Sequence, residues 1–370
     1  MRPRPYLAAL AAGALAVGAA ACGSDDSSTS SASGSSSGSG SGSSVTATLN
    51  GAGSTFAAPI YQQVGSTLKD QDLTINYQPV GSGEGISQLQ AGTIDFAGSD
   101  PSLADEDKAK LKGPATQITI ALGAITLSYN LQGVKSGLKL DGATAADIFL
   151  GKITKWNDPK IASQNSGVSL PDTNITVVHR SDSSGTTKGF TTFLAAYSPE
   201  WKSGPGVDKD IKWPTGTGAK GNDGVAGQVK QTDGAIGYVE QAYALQNGFT
   251  FADVKNKTGA YVAPTLDSTS AAGEGLTVPS DLGISTIDAP GAKAYPIVSQ
   301  TFLDVPTDPC KQGKSKDVAA GLSAFAKFLT GSDGQSTIKQ LAYAPLPSSL
   351  LSKASSAAGE IVCNGAPVGQ

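Results

Sequence analysis

The chain has 370 residues, with 27 Lys and Arg against 31 Asp and Glu and a formal net charge of −4. That balance argues against a nucleic-acid partner, and a single His and a single Met leave little from which to build a metal site. The length is enough for two lobes of ordinary domain size.

The chain opens on a short basic stretch, Arg2 and Arg4, followed at 7–21 by an apolar run of mostly Ala and Leu. That run is shorter than the roughly 20 residues of a membrane span, so 1–21 reads as a signal peptide. It ends at Ala19-Ala20-Ala21-Cys22, which resembles a lipoprotein cleavage site with Cys22 as the lipidated N-terminus. The alternative is an ordinary secretory cleavage beside an incidental Cys. Residues 22–44 are almost pure Ser and Gly with Asp25 and Asp26, so they have nothing to bury and read as a tether. Beyond it, 45–370 is one long globular region. Cys310 and Cys363 remain as a pair in an exported chain, where disulfides persist, and a bridge between them is expected. Two buried free thiols are the alternative.

Strands and helices alternate along the globular region. Strands are predicted at 46–49 and 73–79 with a helix at 58–69 between them. Helical spacing follows at 86–90, then a short strand at 93–97 that ends at Gly98-Ser99-Asp100. The apolar, β-branched stretch 117–129 suits a strand pair or a crossover between lobes. A short helix at 145–150 is followed by a buried strand at 175–178 that leads into His179-Arg180. Helices are predicted at 188–197 and 223–231, a strand at 236–239, an extended segment at 296–303 and a terminal helix at 318–329. This pattern predicts α/β lobes with mostly parallel sheets, whose ligands sit beyond strand ends at helix starts.

Three polar, glycine-containing segments fall at such places: Gly53-Ser54-Thr55-Phe56, Gly81-Ser82-Gly83-Glu84-Gly85 and Ser183-Ser184-Gly185-Thr186-Thr187. Each has the chemistry of an anion cradle, with close backbone approach, hydroxyl donors and the free N–H groups of a helix start. Arg180, the only Arg beyond Arg4, grips two oxygens of a tetrahedral anion. Thr55, Ser82, Ser184 and Thr186 add hydroxyls, and Phe56, Gly185 and Thr186 add backbone N–H groups. Asp182 is placed to hold the guanidinium. Asp100 is the informative member, because an ionised carboxylate only accepts hydrogen bonds and repels an anion that carries no proton. Hydrogen phosphate carries one and sulfate at neutral pH does not, so Asp100 selects phosphate by penalising the competitor. Taken singly, these segments also read as turns and helix caps, Arg180 as a surface ion-pair partner and His179 as a packing residue. P-loop spacing is absent, and so are a Gly-x-Ser-x-Gly elbow with acid and His partners and a cluster of metal ligands. Binding without turnover fits best, with no cofactor.

The ordered blocks also carry a resemblance. They are Gly51-Ala52-Gly53-Ser54-Thr55-Phe56-Ala57-Ala58-Pro59-Ile60-Tyr61, Tyr77-Gln78-Pro79-Val80-Gly81-Ser82-Gly83, Asp95-Phe96-Ala97-Gly98-Ser99-Asp100, Gly151-Lys152-Ile153-Thr154-Lys155-Trp156-Asn157-Asp158-Pro159, Arg180-Ser181-Asp182-Ser183-Ser184-Gly185-Thr186, Gly221-Asn222-Asp223-Gly224-Val225-Ala226 and Gly234-Ala235-Ile236-Gly237-Tyr238-Val239-Glu240. In this order they resemble the substrate-binding subunit of the phosphate-specific ABC importer over 45–351. The resemblance implies a two-lobed type II periplasmic-binding-protein fold, α/β with mostly parallel sheets and two hinge crossovers. It implies phosphate contacts from Thr55, Phe56, Ser82, Asp100, Arg180, Ser184, Gly185 and Thr186, with Asp182 paired to Arg180. Glu84 stands where the family has a small residue, and is expected to point outward from a first helical turn. Ser183 replaces a Gly. The expectation is therefore a monomeric receptor held by a lipid anchor on the outer face of the cell membrane. It would have one lobe from 45–125 and 301–370 and another from 126–300. It would deliver inorganic phosphate to permease transmembrane subunits driven by a cytoplasmic ATPase. The rival readings are a binder of sulfate or molybdate, and an extracytoplasmic phosphatase on the same scaffold.

Overall fold

The computed structural model describes residues 45–368. The signal-peptide, lipidation and tether readings of 1–21, Cys22 and 22–44 lie outside those residues. The chain begins with β1 (Ala47–Gly53), α1 (Ala58–Lys69), β2 (Leu73–Pro79), α2 (Ser82–Ala91), β3 (Phe96–Ser99), the short α3 (Asp105–Ala109) and β4 (Ala115–Asn130). Pro59 opens α1 with its φ already helical, and Ile60, Tyr61, Val64 and Leu68 bury one face of that helix. Then follow β5 (Lys139–Leu140), α4 (Gly142–Phe149), α5 (Pro159–Ala162), β6 (Thr176–Arg180), α6 (Gly185–Tyr197), α7 (Pro199–Ser203), β7 (Thr217–Ala219), α8 (Gly221–Gln231) and β8 (Ala235–Glu240). The next elements are α9 (Gln241–Gln246), β9 (Thr250–Phe251), β10 (Asp253–Lys255), β11 (Tyr261–Val262), α10 (Leu266–Gly273) and β12 (Val298–Pro306). The chain closes with α11 (Lys316–Thr330), α12 (Ser332–Gln340), α13 (Ser348–Ala358) and the hairpin of β13 (Val362–Cys363) and β14 (Ala366–Pro367).

The main sheet runs β2-β1-β3-β12-β4-β8-β6-β7, with β9 on the side of β4. Its two ends are parallel, β1 with β2 and β3, and β6 with β7 and β8. Its centre is antiparallel, because β12 returns against both β3 and β4, and β4 against β8. The stretch that suited either a strand pair or a crossover is one strand. Residues 115–124 of β4 pair with β12 and residues 125–130 with β8, so a single buried strand belongs to both halves of the sheet. A small sheet of β11, β10 and β5 lies apart.

Each half has its own aromatic packing. Tyr61, Tyr77, Phe96 and Phe325 interlock beneath β1–β3 with ring centroids 4.4–6.0 Å apart. Phe149, Phe190, Tyr238, Trp213 and Trp201 do the same beside β6 and β8. His179 stacks on Trp213 at 4.6 Å, which makes it a packing residue. The helix predicted at 318–329 is present as α11 but is not terminal, since α12 and α13 follow it. Cys310 and Cys363 form the expected disulfide, tying the turn after β12 to the last hairpin. Among the described residues no helix is long and apolar enough to cross a membrane.

Candidate functional site

The segments singled out in the sequence converge where the two halves of the sheet meet. The turn after β1 brings Ser54, Thr55 and Phe56. Gly53 makes that turn at φ +138°, and a Cβ there would lie 2.1 Å from the Gly98 carbonyl oxygen, so the close approach of β1 and β3 requires glycine. The start of α2 brings Ser82, and the end of β3 brings Asp100. From the other half, the end of β6 brings Arg180 and the start of α6 brings Ser184, Gly185 and Thr186.

Arg180 is 3% exposed. Its Nε and Nη2 donate to the two carboxylate oxygens of Asp182 at 2.7 and 2.5 Å, a bidentate pair. Burial pushes the Asp182 carboxyl up, but the Arg180 hydrogen bonds and charge, with the Gly221 N–H, outweigh it and hold the group below its ordinary range. The remaining guanidinium nitrogen, Nη1, donates to Thr186 Oγ1 at 3.3 Å.

Three hydroxyls here share an unusual arrangement. Thr55 Oγ1 accepts from the backbone N–H and the side-chain amide of Asn222 at 3.2 and 2.9 Å. Thr186 Oγ1 accepts from Arg180 and from the Asn222 amide at 3.2 Å. Ser184 caps α6 by accepting from the Thr187 N–H at 3.1 Å. Each is buried, each accepts, and none donates to an acceptor among the described residues. Their protons are therefore available to a guest, as are the first N–H groups of α6 and the Phe56 N–H, which finds no acceptor among the described residues.

Asp100 is arranged in the opposite sense. Its Oδ1 accepts from Ser54 Oγ at 2.5 Å and from Thr301 Oγ1 at 3.1 Å, and its Oδ2 accepts from Ser82 Oγ at 3.1 Å. Burial raises its pKa to about 6, and the three hydroxyls and the Arg180 charge limit the rise. Oδ2 lies against the start of α6, where a Cβ on Gly185 would come within 2.4 Å of it.

The residues expected to contact phosphate, and Asp182, are thus brought together, but Arg180 gives Nε and Nη2 to Asp182 rather than offering them as a two-oxygen grip for an anion. The proton of Ser82 is directed at Asp100 rather than held outward. Glu84 is exposed and accepts from Gln88 on the outer face of α2, as expected. Ser183 packs on Gly83, where a Cβ would meet its Oγ at 2.1 Å. Sequence reasoning missed Asn222, which bridges Thr55 and Thr186 across the two halves and accepts from the Glu240 N–H. Its only signal was its place in a Gly-Asn-Asp turn at the start of α8. Ser54 and Thr301 were also missed.

Residues 29–333 match the family model described as the PBP superfamily domain. A phosphate-binding protein PstS of Xylella fastidiosa is 41% identical over 308 residues, covering 82% of each chain. The chain belongs to the PstS family of phosphate-binding proteins. A PstS of Pasteurella multocida is 40% identical over 310 residues, covering 83% of this chain and 88% of the other. Among solved structures, a phosphate-binding protein of Stenotrophomonas maltophilia superimposes with a TM-score of 0.66 at 22% identity, covering 84% of this chain and 93% of that one. The fold, mixed α/β with a curled central sheet, is that of the type II periplasmic binding proteins.

Proposed function

We propose that this protein is an extracytoplasmic receptor that binds inorganic phosphate without turning it over and passes it to an ABC-type permease. The observation that carries the reading is the opposed sense of the hydroxyls. Thr55, Ser184 and Thr186 hold protons outward beside Arg180, and Asp100 faces the same place as an acceptor. A monohydrogen phosphate matches both, taking donors on its bare oxygens and giving its own proton to Asp100 Oδ2. When it arrives, Ser82 turns its hydroxyl from Asp100 to the anion and frees Oδ2 for that bond.

The two lobes, 45–125 with 301–370 and 126–300, supply opposite sides of the site. Phosphate bridges them, so closure gains contacts that the open form lacks. The Gly83 N–H bonded to the Ser183 carbonyl at 3.1 Å, and Lys209 Nζ 3.2 Å from Asp107 Oδ2, join the two sides at the mouth. Cys22 serves as the lipid anchor, with 22–44 as the tether, and the receptor acts as a monomer.

Titration calorimetry on the purified protein, stripped of anion by unfolding and refolding, tests the reading. Tight one-to-one phosphate binding with no sulfate heat at pH 8 is expected. Equal binding of both anions, or of neither, refutes it. Slow release of phosphate from a chromogenic ester, abolished by changing Asp100 or Arg180, would turn the reading to the phosphatase.

A further inference from the structure

Three acids are fully buried near the seam of the two halves, and they are treated differently. Asp304 receives the Gln117 amide on Oδ1 at 2.6 Å, while its Oδ2 has no partner among the described residues, and burial raises its pKa to about 7. Glu240 receives the Ala242 N–H and the Tyr343 hydroxyl on Oε2, while its Oε1 has no partner among the described residues, and burial raises its pKa well above the ordinary value. Asp100 alone has donors on both oxygens, and all three are hydroxyls.

The direction of the shortest of these bonds is fixed by its neighbours. Ser54 Oγ already accepts from the Ala57 N–H at 3.2 Å, so its single proton is left for Asp100. The Ser54 backbone is pinned on both sides, its N–H to the Gly98 carbonyl at 2.8 Å and its carbonyl by the Tyr77 hydroxyl at 2.9 Å. Thr301 has one proton for two acceptors, Asp100 at 3.1 Å and the Ser99 carbonyl at 3.2 Å, so it is the weaker support. Both act on Oδ1, and the oxygen beside Gly185 is Oδ2.

We propose that Ser54, seconded by Thr301, is a positioning residue for anion selection: by saturating Oδ1 of Asp100 it keeps the carboxylate charged and presents Oδ2 to the ligand. This rests on the phosphate-receptor reading and goes beyond it. A charged Asp100 accepts the proton of hydrogen phosphate and repels sulfate. A neutral Asp100 donates its own proton and admits sulfate. Selection against sulfate is therefore lost as pH falls through the Asp100 pKa, and Ser54 sets where that happens.

The ionisable groups that face Asp100 are Arg180 from β6, Lys188 lining the cavity beside it on α6, Asp304 from β12 and Glu240 at the end of β8. The Tyr61, Tyr77, Tyr243 and Tyr343 phenols also feel its charge, and burial raises the pKa of each of the four. Asp304, raised by burial to about 7, overlaps the Asp100 titration, so an Asp304→Asn background removes that overlap.

The test is the ratio of phosphate to sulfate affinity in the full chain, measured by calorimetry from pH 5 to 8.5. It is run on wild type, Asp304→Asn, and Ser54→Ala, Thr301→Val and Thr301→Ser in both backgrounds. Wild type is expected to lose discrimination around pH 6. Ser54→Ala moves that midpoint up by about one pH unit, the worth of one hydrogen bond to a charged group. Thr301→Val moves it less, and Thr301→Ser leaves it in place. An unmoved midpoint in Ser54→Ala overturns the inference while the receptor reading stands. If Ser54→Ala does not fold, equal midpoints for Thr301→Val and Thr301→Ser overturn it instead. A wild type that never prefers phosphate overturns the receptor reading and this inference together.

Discussion

The Arg180 side of the site and the Asp100 side are built on opposite electrostatic plans. Arg180 has its compensating charge in contact, since Asp182 takes two of its nitrogens, so the strong charge is neutralised before any ligand arrives. Asp100 has no such partner among the described residues. It is supported by three hydroxyl dipoles, and burial still lifts its pKa to about 6. The lesson is a division of labour. In the proposed receptor the paired side supplies donors to an oxyanion, whereas the dipole-supported side, with Asp100 poised between charge states, chooses which one.

Breaking the paired side should have the largest effect. Arg180→Ala leaves Asp182 facing the ligand without its cation, and phosphate affinity should fall by about 2–5 kcal/mol in calorimetry. Next comes the pH dependence of the ligand-free fold. The folded pKa of Asp100 lies above its unfolded value, so its contribution is full below about pH 4 and is lost as pH rises through about 6, an effect of about 3 kcal/mol. Asp304 acts in the same direction up to about 7. Urea unfolding of wild type across that range should show the decline, and Asp100→Asn should remove the part that ends near pH 6. Gly185→Ala places a methyl 2.4 Å from Asp100 Oδ2 and presses the two sides apart, at about 1–3 kcal/mol of phosphate affinity. Asn222→Ala strips donors from both Thr55 and Thr186, and about 1–2 kcal/mol of affinity should go with them. The smallest change is expected of Lys209→Met. The Lys209–Asp107 pair is partly exposed, so under 1 kcal/mol should be lost, and the loss should vanish in high salt.

The same contrast explains what the sequence revealed. The paired side is nearly contiguous: Arg180, Asp182, Ser184, Gly185 and Thr186 follow one another from a strand end into a helix start, so local chemistry places them. The supports of Asp100 lie 46, 18 and 201 residues away, and no local pattern connects Thr301 to Asp100. Asn222 stands in a Gly-Asn-Asp segment with no sign of a partner, and its bridging role appears only when α8 is packed against the turn after β1. Among the elements, β4 was visible as a long apolar run, but that it is one strand shared by two partners is a property of the sheet. Helices α12 and α13 escaped because Ser332-Asp333-Gly334 reads as a turn and α13 is rich in Ser, a modest helix former. Buried faces carrying Ile338, Leu350 and Ala354 override that local preference.

In the proposed receptor Asp100 chooses the anion while Arg180 holds it. The most direct test is the affinity of Asp100→Asn for phosphate and for sulfate at pH 8, beside wild type. A neutral amide of the same shape should weaken phosphate binding and strengthen sulfate binding, so that the preference narrows or reverses. If both anions lose affinity in equal proportion, Asp100 is only a structural support and the account of selection is wrong.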